Sequence, residues 1–226
     1  MLLVLEISNA QKIYIRECEK ILGENNLVLI SITGPSGSGK TTFAKELHQA
    51  ICENRSVILL SEDNYYKANT CLTEEQKNNR NYDHPSAFDH KLLEKHLKQL
   101  KAGDSVKSPI YCYKTHQRKE RTVELRPADF IIVEGIMLLN KQYLRELFDL
   151  KVFMDVPLDI CLLRRIQRDI NERGRTLNSV AQQYLETVRP MHNEFIKPQK
   201  NFADFTFSEE IDIDFMRKRV MELILL

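Results

Sequence analysis

The 226-residue chain has little excess of either charge, because 33 basic residues are balanced by 32 acidic ones and the formal net charge is +1. A dedicated nucleic-acid-binding protein usually carries a large basic excess, so nucleic acid is not an expected partner. Apolar runs are short as well, and none approaches the roughly 18 residues that a membrane-spanning helix needs. We therefore expect no membrane partner either.

Cysteines are few and scattered. The five are odd in number and form no Cys-x-x-Cys pair, which argues against a disulfide framework and against a zinc site. Reduced thiols of this kind suit a cytosol. The start of the chain, Met1 to Leu5, is apolar, but Glu6 interrupts it and no basic segment precedes it, so it makes a poor signal peptide. These features predict a soluble cytoplasmic protein.

Glycine is scarce, with seven in the whole chain, yet three of them lie within six residues. After the apolar run Leu27–Ile32 the chain reads Gly34-Pro35-Ser36-Gly37-Ser38-Gly39-Lys40-Thr41-Thr42, which contains the pattern G-x-x-x-x-G-K-T. Between a strand and a helix, this pattern predicts a loop whose backbone N–H groups surround phosphate oxygens. Lys40 adds a positive charge for the outer phosphates, and Thr41 adds a hydroxyl for Mg²⁺. We expect these nine residues to bind ATP with Mg²⁺ as cofactor; a solvated turn is the alternative.

Short apolar runs that scarcely alternate predict parallel strands covered on both faces. These runs are Leu27–Thr33, Ser56–Leu60, Phe130–Val133, Lys151–Val156 and Asp204–Phe207. Helical patterns lie between and after them, at Thr42–Glu53, in the stripe Phe88, Leu92, Leu93, Leu97 and Leu100 that Gly103 ends, and at Leu177–Phe195 and Phe215–Leu225. The alternation predicts an α/β fold with a doubly wound parallel sheet and helices on both of its faces.

Two segments fall outside this plan. Residues 104–127 hold the runs Val106–Tyr111 and Thr122–Leu125 around a polar, basic middle, which predicts a small β-hairpin lobe beside the sheet. Residues 1–26 form an N-terminal extension to which we assign no role. Residues 27–226 are expected to form the main domain.

Two carboxylates are expected at the sheet edge that carries the glycine-rich loop. Asp63 follows the second predicted strand and Glu134 ends the third. Either acid alone could be a helix cap or a turn residue, but their joint placement at the carboxyl ends of strands favours function. We expect Glu134 and Thr41 to hold Mg²⁺, with Asp63 reaching the metal or its water shell. Asp63 is also the candidate for orienting an acceptor hydroxyl, since orientation dominates in a loose phosphoryl-transfer transition state.

An arginine-rich segment, residues 158–176, is predicted to form a lid. On a helix, apolar and basic side chains would occupy opposite faces: Leu162, Leu163, Ile166 and Ile170 against Arg164, Arg165 and Arg168. The simple alternative is a solvated basic face balanced by Asp169 and Glu172. Arg173-Gly174-Arg175 favours the lid, because arginines on a mobile segment can close over a triphosphate and exclude water from it.

The chain closely resembles the uridine/cytidine kinase family in blocks that occur in the family's order. The blocks are the glycine-rich loop, Ser61-Glu62-Asp63-Asn64-Tyr65-Tyr66-Lys67, Asn81-Tyr82-Asp83-His84-Pro85-Ser86-Ala87-Phe88-Asp89, Pro109-x-Tyr111 with His116-x-Arg118, and Glu172-Arg173-Gly174-Arg175. The likeness runs from about Leu27 to about Asp204, and the block around Asp83 is its most specific part. It implies a P-loop kinase-type sheet and phosphorylation of the 5′-hydroxyl of a pyrimidine ribonucleoside in pyrimidine salvage. ATP, with GTP as an alternative, would be the donor, and the assembly a homo-oligomer, typically a tetramer.

The resemblance also implies roles for individual residues. The catalytic set is Asp63, Lys40, Arg168 and Arg173, and Arg175 joins the ATP-binding residues. The substrate-binding set is Asp83 for the ribose hydroxyls, Tyr111 and His116 for the base edge, and Tyr66, Phe88, Arg165 and Gln183. From the residues alone, Asp83 could equally cap the helix around Ser86, His116 could be a surface or packing residue, and Phe88 could belong to the core.

Two further readings stay open at this point. One is a related P-loop kinase that acts on another alcohol, such as a sugar phosphate or pantothenate; the other is a nucleotide-binding regulator that transfers no phosphate. Asp83 with Tyr111 and His116 favours a nucleoside acceptor, and intact Lys40 and Asp63 favour catalysis. Cys112 departs from the family, which commonly has an Asp there, so the base-side wall is expected to differ.

Overall fold

The computed structural model describes residues 27–53, 55–68, 73, 75–76, 80–113 and 115–207. The strands are β1 (Val28–Thr33), β2 (Val57–Ser61), β3 (Val106–Ser108), β4 (Tyr111–Cys112), β5 (Gln117–Arg118), β6 (Val123–Leu125), β7 (Phe130–Gly135), β8 (Leu150–Met154) and β9 (Phe205–Phe207). Five of them form one parallel sheet in the spatial order β2-β7-β1-β8-β9. The five predicted strands are confirmed within two residues at each end.

The helices of the described residues are α1 (Lys40–Cys52), α2 (His90–Lys101), α3 (Gln142–Arg145), α4 (Leu158–Asn171), α5 (Leu177–Gln183) and α6 (Arg189–Met191). Shorter 3₁₀ turns cover Glu62–Tyr65, Pro85–Ala87 and Lys197–Phe202. None of these helices is long and apolar enough to cross a membrane. The expected extension at residues 1–26 and helix at Phe215–Leu225 lie outside the described residues.

The helix predicted at Leu177–Phe195 is confirmed in extent but is irregular. Wider π turns at Tyr184–Val188 and His192–Ile196 flank α6. Pro190 offers a reason, because a proline inside a helix lacks the N–H and crowds the carbonyl four residues earlier. A wider turn before the proline relieves that crowding.

Both faces of the sheet are covered by helices. On one face, Ile30 and Ile32 of β1 pack with Phe43 and Leu47 of α1. On the other face, side chains of β1 and β7 pack with α2, namely Leu29, Ile131, Leu93 and Leu97. Successive strand residues point to opposite faces, so each buried strand contributes to two apolar cores. The doubly wound sheet predicted from the sequence is confirmed.

The start of α2 corrects the expected helical stripe. The side chain of Asp89 accepts a hydrogen bond from the backbone N–H of Leu92 (3.2 Å) and caps the helix, which begins at His90. Phe88 lies before the cap in extended backbone and pairs with Tyr66 in an antiparallel bridge. The prediction that Phe88 belongs to the helix is therefore wrong. The predicted stop is correct, because Gly103 adopts φ +90° just beyond Lys101.

The lobe at 104–127 consists of two short antiparallel ladders rather than one hairpin. Strand β3 pairs with β6, and β4 pairs with β5. The predicted lobe is confirmed, and the inner ladder carries the turn that leads to His116.

Helix α4 packs through its polar side. Its buried residues are Cys161, Arg165 and Asp169, at intervals of four, whereas Leu163 and Ile170 are 59% and 40% exposed. The alternative of a solvated basic face is wrong for Arg165 and Asp169. The physical reason is that this polar stripe meets other charged groups near the carboxyl edge of the sheet, so its charges are paired.

Candidate active site

The glycine-rich loop joins the carboxyl end of β1 to the start of α1. Gly37 and Gly39 both adopt φ +88°, a conformation that favours glycine. A Cβ on Gly37 would overlap the backbone carbonyl of Cys161, so the loop packs directly on α4. A Cβ on Gly39 would meet no described atom within 4 Å. The predicted loop therefore has the tight backbone that a phosphate cradle requires.

Two polar side chains of the loop are buried. The Nζ atom of Lys40 donates to the carbonyl oxygen of Pro35 (3.4 Å), which folds this side chain back over the loop. Within the described part of the chain, the buried hydroxyl of Ser38 has no hydrogen-bond partner. A buried hydroxyl without a partner is costly, and a ligand oxygen on the loop would satisfy it.

Glu134 sits at the end of β7, between the loop and β2. Its Oε2 accepts a hydrogen bond from the hydroxyl of Thr41 (3.0 Å), and its Oε1 accepts one from the hydroxyl of Ser61 (2.6 Å). Burial raises the pKa of this carboxyl, and the nearby charge of Asp63 adds to the rise, while Lys40 opposes it. A buried acid beside two hydroxyls and a lysine forms a polar site at the junction of three segments.

The oxygens of Thr41 and Glu134 suit Mg²⁺, which prefers hard oxygen ligands. Among the described residues, no group of three or more His, Cys, Asp or Glu side chains could hold a metal ion. This donor set fits a magnesium ion that takes most of its ligands from water and phosphate, which is its usual manner of binding beside a nucleotide.

Asp63 follows β2 in a 3₁₀ turn at the same edge. Its Oδ2 accepts a hydrogen bond from the phenol of Tyr113 (2.7 Å), and the guanidinium carbon of Arg173 lies 4.7 Å from the centroid of the Tyr113 ring. Burial and the Asp63 charge raise the pKa of Tyr113, so the phenol stays protonated and donates. Tyr113 was not predicted as a site residue, and it connects the hairpin lobe to both Asp63 and the lid.

Asp83 is buried close to Asp63 and Lys40, and we call the space between these three side chains the cleft. The Nη1 atom of Arg165 lies 4.0 Å from its Oδ1. Burial raises the pKa of the Asp83 carboxyl, and the Arg165 charge opposes that rise; Asp63 and Lys40 are close enough to act on it as well. The alternative that Asp83 caps the turn at Ser86 is wrong, because His84 Nδ1 accepts the hydrogen bond from the backbone N–H of Ser86 (3.1 Å).

The four aromatic residues predicted to bind substrate lie in one cluster with Tyr82. The Tyr66 ring stacks on Phe88 (centroids 4.4 Å apart) and is tilted against Tyr111 (5.0 Å). Tyr82 meets Tyr66 edge-on (5.5 Å) and stacks on His116 (4.9 Å). Phe88 is thus both buried and part of this cluster. Such a wall offers apolar faces beside the carboxylates of the cleft.

The predicted lid arginines converge on a residue that the sequence analysis treated only as a surface counter-charge. Asp169 is fully buried, and four guanidinium groups lie within 4.0 Å of its carboxylate: those of Arg165, Arg168, Arg173 and Arg175. Gln183 is also in place, since its Oε1 accepts from Arg165 Nη2 (2.9 Å) and from Arg175. Arg165, Asp169 and Arg173 are spaced four residues apart, and this spacing was the feature of the sequence that could have predicted the cluster.

Glu62 is a second buried acid that was missed. Its Oε1 lies 2.7 Å from His90 Nε2, and its Oε2 accepts a hydrogen bond from the backbone N–H of Met137 (2.9 Å). The His90 ring stacks on Phe88 (5.2 Å). Glu62 therefore fixes the turn that carries Asp63 against the end of β7 and links it to the aromatic cluster.

Comparison with known proteins agrees with this architecture. A family model described as Phosphoribulokinase / Uridine kinase family matches residues 29–214. The uridine kinase of Clostridium novyi (strain NT) is 44% identical over 201 residues, covering 87% of this chain and 96% of that protein. The uridine kinase of Bacillus mycoides (strain KBAB4) is 45% identical over 207 residues, covering 90% and 97% respectively.

A solved structure supports the fold independently. Phosphoribulokinase from Rhodobacter spheroides matches with a TM-score of 0.61 at 16% identity, covering 83% of this chain and 72% of that one. At such low identity the likeness concerns the fold alone. The P-loop kinase-type sheet expected from the sequence is confirmed.

Replacing Gly37 and Gly39 separately by alanine tests the geometry of the loop. Both variants force alanine into left-handed backbone, so we expect Gly39→Ala to lower the free energy of unfolding by about 1–2 kcal/mol. Gly37→Ala should cost clearly more, because its new Cβ also overlaps the Cys161 carbonyl. Urea unfolding of both variants measures the difference, and equal losses would contradict the packing described.

Asp83→Asn tests the cost of the buried carboxylate. A carboxyl whose pKa is raised by folding destabilises the folded state once pH exceeds its unfolded value of about 3.9. We therefore expect Asp83→Asn to be more stable than the parent at pH 7, with an advantage that shrinks as pH falls toward 4. Thermal unfolding at both pH values measures this. A variant less stable at pH 7 would contradict it.

Proposed function

The chain belongs to the phosphoribulokinase / uridine kinase family, and from that premise we propose that it phosphorylates the 5′-hydroxyl of a pyrimidine ribonucleoside, uridine or cytidine, with ATP as donor. The observation that carries the proposal is that Asp83 is buried close enough to Asp63 and Lys40 for the charges of both to act on its carboxyl. The identity of more than 40% to uridine kinases over most of the chain supports the same acceptor.

The donor would bind at the loop of residues 34–42. Its backbone N–H groups and Lys40 suit the phosphates, and the start of α1 adds the positive end of a helix dipole. Thr41 and Glu134 would hold Mg²⁺, which when bound neutralises charge on the phosphate oxygens. The hydrogen bond between these two side chains already sets their oxygens side by side.

The acceptor hydroxyl would donate its hydrogen bond to Asp63. Tyr113 occupies Oδ2 of that carboxylate, so Oδ1 is the natural acceptor for the sugar hydroxyl. The carboxylate orients the attacking oxygen and takes its proton late, when the bond from the γ-phosphorus to the oxygen of the leaving ADP has largely broken. We therefore expect Asp63 to contribute mainly by orienting the acceptor hydroxyl and less by its strength as a base.

The ribose would be recognised by Asp83. Each hydroxyl of a vicinal diol can donate to one oxygen of a carboxylate, and Arg165 stabilises the charged form of that carboxylate. The base would lie against the aromatic cluster, where Tyr111 and His116 provide polar groups for its edge. This combination suits a nucleoside better than a sugar phosphate, which would need additional positive charge at the acceptor end.

The lid arginines would meet the phosphates. Arg168, Arg173 and Arg175 carry positive charge on α4 and the turn that follows it, and guanidinium groups bind phosphate oxygens in pairs. Their approach would stabilise charge in the transition state and keep water from the γ-phosphate. Pyrimidine salvage and a homo-oligomeric assembly stay predictions from the resemblance, and a cytoplasmic location stays a prediction from the cysteines and the start of the chain.

Asp63→Asn tests the catalytic assignment with a side chain of the same shape. We expect kcat for uridine to fall by roughly 10²–10⁴-fold, because the amide can neither hold the acceptor hydroxyl as the carboxylate does nor receive its proton, and a positioned side chain that receives a proton typically contributes this much. The affinity for ATP should change by less than about threefold, since Asp63 serves the acceptor. A coupled ADP-release assay and titration calorimetry measure the two quantities. Near-normal turnover in the variant would reject the role.

The same assay on the unmodified protein tests the acceptor. Uridine and cytidine should release ADP, whereas adenosine and a lane without acceptor should release little. Release with a sugar phosphate or pantothenate alone would overturn the nucleoside assignment. ATP binding without release for any acceptor would favour a regulator.

Deoxyuridine tests Asp83. Loss of one hydroxyl leaves part of a buried acceptor unpaired, which costs about 1–3 kcal/mol, so kcat/KM should fall roughly 5–150-fold relative to uridine. In Asp83→Asn the ratio between the two substrates should shrink. Equal kcat/KM values for uridine and deoxyuridine in the parent protein would contradict the assignment.

A further inference from the structure

Asp169 has more ion pairs than any other carboxylate among the described residues, and its partners are four arginines that were predicted as site residues. Its Oδ1 accepts from Arg168 Nη2 and Nε (2.8 and 3.0 Å) and lies 3.5 Å from Arg173 Nη1. Its Oδ2 lies 3.5 Å from Arg165 Nε and 3.9 Å from Arg175 Nη1. All four arginines assigned to phosphate and sugar thus share one counter-ion.

The backbone strengthens the same connection. The N–H of Arg175 donates to the carbonyl oxygen of Asp169 (3.0 Å), and Gly174 adopts φ +65°, which turns the chain back after α4. The turn therefore brings Arg173 and Arg175 back toward the carboxylate of Asp169, whereas a continued helix would carry them away from it. Side chain and main chain of Asp169 together hold the turn.

Electrostatics makes this carboxylate necessary to the arrangement. A fully buried carboxylate is stable only when it is paired and hydrogen-bonded. Conversely, four guanidinium groups this close repel one another unless a negative charge lies between them. The cluster keeps an excess of positive charge that phosphates can meet, and Arg168, Arg173 and Arg175, each about one-third exposed, are its outward members.

From this geometry, and resting on the proposed function, we propose that Asp169 is a positioning residue that assembles the phosphate-binding arginines of the lid before substrates bind. It acts on the reaction through Arg168, Arg173 and Arg175 and does not itself contact the phosphates. Without it, these three outward arginines would leave the cleft for solvent, and the transition state would lose their charge.

The test compares Asp169→Asn with Asp159→Asn, the same substitution at an exposed position on the same helix. We expect Asp169→Asn to lower kcat about 10–100-fold and to weaken ATP binding by a smaller factor, while Asp159→Asn matches the parent. In an Arg168→Ala/Arg173→Ala/Arg175→Ala background, adding Asp169→Asn should cost less than threefold more, because its route is already removed. Multiplying losses would assign Asp169 a structural role only and overturn the proposal.

Limited trypsin digestion gives a readout that needs no activity. Cleavage after Arg173 and Arg175 should rise several-fold in Asp169→Asn, whereas cleavage after Arg121, an exposed residue of the hairpin lobe, should not change. Cleavage equal to that of Asp159→Asn would overturn the proposal even if the parent protein transferred no phosphate to any nucleoside. The digest thus separates failure of this inference from failure of the proposed function.

A second variant covers the case in which Asp169→Asn does not fold. Gly174→Val places a β-branched residue at positive φ in an exposed turn and leaves the buried carboxylate intact. It should also lower kcat and raise cleavage after Arg175. Parent-like values for both would contradict the proposal.

Discussion

The carboxylate of Glu134 is the interaction on which the site depends, because its two oxygens bind hydroxyls from two other segments. Thr41 brings the glycine-rich loop and the first turn of α1 to it, and Ser61 brings the end of β2. Two residues after Ser61 comes Asp63, so the same carboxylate fixes the distance between the phosphate cradle and the group that faces the acceptor. A parallel sheet makes this possible, because its strands end at one edge.

Burial changes the pKa values of the carboxyl groups at this edge of the sheet and lowers the stability of the protein there. Burial raises the pKa of both Asp83 and Glu134, while Lys40 lowers each. A cleft that holds such opposed charges is less stable than an apolar one of the same shape, and proteins commonly accept that cost where ligands supply the missing partners. Magnesium, a triphosphate and a diol would supply them here. In the lid, the carboxylate of Asp169 offsets part of the arginine charge, so this cluster has a counter-ion without a ligand.

Local signals in the sequence predicted the sheet, the glycine-rich loop and the hairpin lobe, because apolar runs and turn residues act within a few positions. Asp83 and Gln183 were predicted as site residues from the family resemblance, and the periodicity of the sequence did not indicate either of them. Phe88 was wrongly placed in α2, and the buried side of α4 was missed. Both errors have one cause, because the helical pattern of apolar and polar residues contains no information on pairing with residues that are distant in the chain. Tyr113 was missed for that reason, because its partner Asp63 lies 50 residues away in the chain. Asp169 was missed although its arginine partners lie within six residues of it.

The family model covers phosphoribulokinases as well as uridine kinases, so we expect the aromatic cluster and the hairpin lobe, rather than the glycine-rich loop, to select the acceptor. Cys112, which departs from the family pattern, lies in β4 between two tyrosines. The rings of Tyr111 and Tyr113 contact each other edge-on (5.5 Å), and both therefore project from one face of the strand. Alternation places Cys112 on the opposite face. The departure consequently leaves the wall formed by Tyr111 in place, and base selectivity should follow that ring and His116 rather than the thiol.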